Sequence, residues 1–287
     1  MNRTTSVFVL SVFAAIVLLA ASLADIMLDD GGRPYVATSL RGVQVEIYGG
    51  KGLYQFDSLY KAVLFRGFDW ANLIINVPLF VWAIYLFRRG QLKGQLLVTA
   101  IFAYLAYNYL IGVMGNAFNG LFLVWTVLYS VGLFGVILTL REMDISSFPE
   151  KLGGHFPRRG LAIYVIILGL FLFVQYGVEI LSAYGSGQPP GSLGMYTTLE
   201  LAALELGIMV PLHIGGGILL WKRQAIGYLL TILLLFTALV TFIALSVAAL
   251  MFYFFFKSGS VADVAIPVIL ATVATGFSIA VFRQVKG

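Results

Sequence analysis

Eight stretches of the chain are apolar for twenty residues or more, the length a helix needs to cross a bilayer. They fall at about 5–27, 67–87, 95–115, 120–140, 161–183, 197–220, 226–256 and 262–282. Between them the chain turns polar for short distances, with one long exception at about 28–66. The pattern predicts an all-α, polytopic transmembrane helical bundle of eight spans. Inside the long loop, VEIYGGKGLYQFDS alternates apolar and polar around Gly49-Gly50, which predicts a hairpin turning there. SLYKAVLFRGF, which follows, reads as an amphipathic helix lying along the membrane surface.

Composition agrees with the pattern. Of 287 residues, 60% are hydrophobic and only 11% charged, against about 25% charged in soluble domains. That little charge cannot cover a water-facing surface. Basic residues cluster in short loops: Arg88, Arg89 and Lys93; Arg141, Lys151, Arg158 and Arg159; Lys222 and Arg223. With Arg3, Arg283 and Lys286 at the ends, these are twelve of the 18. Alternation through eight spans puts all twelve on one side, so the positive-inside rule predicts cytoplasmic termini in a plasma (inner) membrane. Clusters of this kind are orientation signals, not a phosphate-binding face, so no nucleic acid is expected as partner. The first span also fits a secretory signal with a small-x-small end at Ser22-Leu23-Ala24. Its length, and the repeat described next, favour a retained helix.

The two halves of the chain resemble each other. NVPLFVWAIYLFRRGQLKGQLL begins at Asn76 and MVPLHIGGGILLWKRQAIGYLL at Met209, 133 positions later. Pro78 matches Pro211 and Gly94 matches Gly227; upstream, GLYQFDSL faces GMYTTLEL, and Asp25 in LADIM pairs with Glu179 in GVEIL. Proline, glycine, tyrosine and charge in fixed order exceed what shared greasiness supplies. The expectation is a 4+4 parallel repeat, residues 1–150 and 151–287, each copy a four-helix unit in the same orientation. Each proline should kink its helix. Gly215-Gly216-Gly217 should admit a closely packed neighbour rather than unwind.

Polar residues inside apolar spans carry the candidate chemistry, because each must face protein or water. Asp69, Asn72 and Asn76 form one stripe; Tyr104, Asn108, Gly112 and Asn116 recur every four residues; Glu205, Met209 and His213 form a third ladder. Asp25, Asp69, Glu179 and Glu200 fall near the external ends of their helices, with Glu205 deeper and His213 deepest. For Asp69 and Glu200 a first-turn helix-dipole role would suffice. For Glu205 and His213 an interhelical hydrogen-bonded pair competes with a pathway or proton-relay role. Asp25, Asp69, Asn72, Asn76, Asn108, Glu179, Glu200, Glu205 and His213 are the candidate ligand or ion pathway, an outward-facing acidic vestibule that narrows toward the histidine.

Absent residues narrow the field. Without cysteine there is no thiolate, disulfide or iron–sulfur chemistry. The two histidines, His155 and His213, cannot build a multi-histidine metal site, and no catalytic or nucleotide-binding motif is present; no metal or cofactor is expected. GLYQFDSL and YNYLIGVMGNAFNGLFLVW together resemble a group of prokaryotic multi-pass membrane proteins of unassigned function, over most of the chain. That resemblance implies membership without mechanism. The leading expectation is a transporter or ligand-binding protein for a small solute or cation. The alternatives are a membrane enzyme acting on a lipid or lipid-linked substrate, with Glu205 and His213 as acid and base, and an accessory subunit buried against a partner or in an oligomer. Membrane lipids surround the chain in every case.

Overall fold

The computed structural model describes residues 3–286. Among the described residues eight helices are long and apolar enough to cross a membrane, and the chain is a multi-pass integral membrane protein. They are α1 (Arg3–Leu28), α2 (Leu59–Arg88), α3 (Leu92–Gly115), α4 (Phe122–Leu140), α5 (Arg158–Ser186), α6 (Glu200–Trp221), α7 (Ala225–Phe254) and α8 (Val261–Gln284). Eight crossings leave both ends on one face, here the terminal face; the opposite one is the loop face. Every predicted span is present, with boundaries moved by a few residues. The exception is α2, which begins about eight residues early.

That early start overturns two expectations. SLYKAVLFRGF is the first third of α2, initiated by the Ser58 side chain accepting from Lys61 N, and not a separate surface helix. Asp69 therefore sits mid-helix, where the end dipole has faded, and the first-turn explanation holds for Glu200 alone. The hairpin also differs. Strands β1 (Tyr35–Thr38) and β2 (Gln44–Ile47) pair antiparallel around Ser39–Val43, and the chain folds back around Gly49-Gly50 as well, closed there by a single antiparallel bridge, Ile47–Ser58, rather than by paired strands. Ser39 Oγ accepts from Arg41 N and Val43 N, and Gly42 takes the left-handed φ of 78° that closes the turn. Gly49 and Gly50, both left-handed, make that second turn, and the Arg33 carbonyl leaves no room for a side chain at 49.

In lipid, helices associate by close packing and polar contact rather than by hydrophobic burial. Small residues provide the approach. A Cβ on Gly94 would sit 2.7 Å from Phe87 Cα, and one on Gly227 would sit 2.8 Å from Leu220 Cα. The two contacts are 133 residues apart on both sides. Gly90 and Arg223, again 133 apart, both take left-handed φ (71° and 62°) in the connecting turns. The glycine run in α6 keeps its helix: a Cβ on Gly217 would lie 2.9 Å from Ala162 O of α5. Close packing, not unwinding, is its role. α3 and α7 are the most enclosed spans and touch each other at the centre of the bundle. α1 packs on α2 and α4, with Val7, Ala14 and Leu18 fully buried.

The prolines have a specific consequence. Pro78 and Pro211 lack the N–H that would reach the carbonyls of Ile74 and Gly207. In both places the helix widens into a π turn just upstream, Asn72–Asn76 and Glu205–Met209. Val77 N donates to Asn72 O and Val210 N to Glu205 O, an i to i−5 bond in each case. Each π turn starts on a polar residue.

Candidate functional site

The first π turn sits in a buried polar column. Asn72 and Asn76 are both 0% exposed. Asn76 Nδ2 donates to Asn72 Oδ1 (2.7 Å), which also accepts from Tyr104 OH of α3 (2.8 Å). One turn toward the loop face, Tyr54 OH donates to Asp69 Oδ2 (2.7 Å). Ser22 and Asp25 of α1 face the same carboxylate. Tyr109 of α3 completes the ring around it. Two amide atoms in this column are buried without a hydrogen-bond partner, Asn72 Nδ2 and Asn76 Oδ1. Such orphans cost about 1–3 kcal/mol each unless a water, ion or solute serves them. Asn108, the next rung of the α3 ladder, is buried too.

The second π turn carries Glu205. Its Oε1 accepts from Tyr107 OH of α3, while Oε2 is buried and unpartnered. Tyr176 of α5 faces the same carboxylate. Thus α3 serves both centres, Tyr104 for Asn72 and Tyr107 for Glu205. His213 does not pair with Glu205. Its Nδ1 bonds Met209 O one turn back (2.7 Å), and its Cβ packs against Gly169 of α5. Eight helical residues separate the two side chains, about 12 Å of axis, so they cannot bond each other; the interhelical hydrogen bond expected of Glu205 is the one with Tyr107.

The outer acids are tied down. Asp25 lies 3.5 Å from Arg66 Nε, and Arg66 Nη1 also contacts Asp29 Oδ1 and Tyr48 OH. Glu200 pairs with Lys61, whose Nζ donates to Gly115 O (2.6 Å) and lies 3.7 Å over the Tyr196 ring. Glu179 Oε1 accepts from Ser192 N (2.8 Å). Among the described residues no three His, Asp or Glu groups converge as a metal site. So Asp69, Asn72 and Asn76 come together, Glu205 stands at a second centre, Asp25 borders the first, and Asn108 is buried on α3 with no contact to them shown. Glu200, Glu179 and His213 belong to separate local contacts.

Sequence reading missed the residues that complete these centres: Tyr54, Tyr104's partner role, Tyr107, Tyr176 and Arg66. An arginine one turn before Asp69 was the available signal for the last. It also missed the clasp on the loop face. Asp57, 0% exposed, accepts from Ala117 N (2.8 Å) and Tyr196 OH (2.7 Å), joining three loops. Burial pushes its pKa up from 3.8 to about 6, against those two hydrogen bonds. An acid raised on folding stabilises most when protonated, so its contribution is full below pH 4 and is lost as pH rises through 6. Asp57→Asn should therefore gain on the wild type by about 3 kcal/mol between pH 4 and 7, read as the difference in thermal unfolding. A difference flat with pH would mean the carboxylate is solvated.

No protein-family model, no curated protein and no solved structure matches the chain, so its site must be read from its own geometry.

Proposed function

We propose that the chain is a plasma-membrane transporter or solute-binding protein for a small solute or cation, with both termini cytoplasmic. In this reading it is built from two four-helix copies, residues 1–150 and 151–287, related by an axis along the membrane normal. One observation carries the proposal: α2 and α6 break into π turns at positions 133 residues apart, each break holding buried, under-bonded polar groups. Paired interrupted helices in corresponding places of two repeats are the usual mark of a transporter's midplane site. The matched glycine contacts, left-handed turns and prolines support the duplication.

The copies have diverged at the break. Asn72 and Asn76 stand where the second copy has Glu205 and Met209. The first centre sets amides beside the Asp69 carboxylate and its phenols, the second has one carboxylate, Glu205, among phenols and no amide, a combination suited to binding cargo at one and moving a proton or cation at the other. Cargo reaches them from the loop face, external under the positive-inside rule. The vestibule's groups without a cation partner are then Asp69, the two asparagines and Glu205, since Asp25 and Glu200 each hold a cation. An acid–base enzyme built on Glu205 and His213 loses its pair, and kinship with the prokaryotic multi-pass group adds no chemistry.

Purified protein in proteoliposomes, challenged with jumps of alkali cations, ammonium and small zwitterions across an imposed pH gradient, tests the proposal. A protein-dependent current or dye-reported pH change with at least one solute is expected. Silence across the panel, with a second chain co-purifying at fixed stoichiometry, would overturn it in favour of an accessory subunit.

A further inference from the structure

Away from both polar centres, a groove of about 460 Å³ opens between α2, α3, α7 and α8 toward the terminal face. That is the size of a small-molecule site. Its walls are apolar, with Leu97 and Phe236 among them, and Trp82 stands against Phe282 at one side (ring centroids 5.9 Å apart). Thr275 and Ser278 also line it, but their hydroxyls turn back to carbonyls of their own helix (2.7 and 2.8 Å), so they offer no donor to a guest.

The rim is different. Lys93 and Arg283 both line the groove, no acidic residue does, and neither cation joins any ion pair among the described residues. Lys93 stands in the first turn of α3, where the helix dipole opposes a cation and welcomes an anion. Arg283 stands in the last turn of α8. Both helix ends lie where a bilayer's head groups begin, and Trp82 is of the type that marks that depth.

We infer that this groove binds an anionic glycerophospholipid, its phosphate between Lys93 and Arg283 and an acyl chain along the apolar wall. Two unpaired cations above an apolar cleft between spans match the two ends of such a lipid in charge and polarity. The inference is independent of the transport reading.

The test is native mass spectrometry of the protein released from nanodiscs of equal phosphatidylglycerol and phosphatidylcholine with matched chains. Wild type should retain phosphatidylglycerol preferentially. K93Q/R283Q should lower the ratio of the two bound lipids on the order of tenfold, given the pull of each basic residue near an anionic head group. K222Q/R223Q, which removes two exposed cations of the same face outside the groove, should leave the ratio unchanged. Equal loss in both double variants would overturn the site, since general surface charge would then account for it. So would no preference in wild type, or an unchanged ratio in K93Q/R283Q.

Discussion

Arg66→Met should cost about 3–5 kcal/mol of stability, because it strands buried acids without their counter-charge. The Asp25 and Asp29 side chains are 0% exposed and the Arg66 side chain only 12%. With the guanidinium gone, both carboxylates and Tyr48 OH lose their shared partner. Tyr48 cannot compensate: burial holds its phenol above the ordinary range, so it remains a neutral donor. A fall of this size should appear as loss of the folded fraction after detergent extraction and a lower midpoint in tryptophan-fluorescence melting. The triple change Arg66→Met, Asp25→Asn, Asp29→Asn should recover much of it, since a neutral cluster carries no stranded charge. If Arg66→Met alone melts like wild type, the cluster is open to water and its ion pairs are surface pairs.

On the proposed transport reading, Glu205→Gln should leave the fold intact and lower flux by about a hundredfold or more, the usual size of losing a positioned proton-transfer group. Glutamine keeps the shape, and its carbonyl can still accept from Tyr107 OH. Any step that needs ionisation at this position is lost. Tyr107→Phe is the informative companion. It leaves Oε1 without a donor beside an already unpartnered Oε2, and should cost about 1–3 kcal/mol in stability. A purely structural Glu205 would give the opposite result for function: wild-type flux in Glu205→Gln.

Much of this architecture is legible along the chain, for physical reasons. A bilayer demands twenty apolar residues in a row, so hydropathy finds eight spans, and the requirement that buried polar groups face protein makes the Asp69–Asn72–Asn76 stripe readable as inward. Pro78 and Pro211 announce a disturbed helix. They do not say whether the disturbance is a kink or a π turn, because that depends on how neighbours pack. What stays hidden is pairing across distance. Lys61 and Glu200 are 139 residues apart, and Tyr107 and Glu205 are 98 apart. Helical periodicity speaks only of neighbours on one helix. The same limit made the four outer acids look like an open vestibule, when Arg66 and Lys61 neutralise two of them. The β1–β2 strand pair was hidden too: Gly49-Gly50 carries the strong turn signal yet closes only one antiparallel bridge, while the Ser39 cap that closes the strand turn is a local hydrogen-bond pattern.

The central claim is that the two π-turn centres hold something other than protein. A cryo-EM map of the protein in lipid nanodiscs, at a resolution that shows ordered water, tests it most directly. The account predicts non-protein density within hydrogen-bond distance of Asn72 Nδ2 and Asn76 Oδ1, and a second feature at Glu205 Oε2. Side chains at both centres paired only with one another, with no density between them, would contradict it.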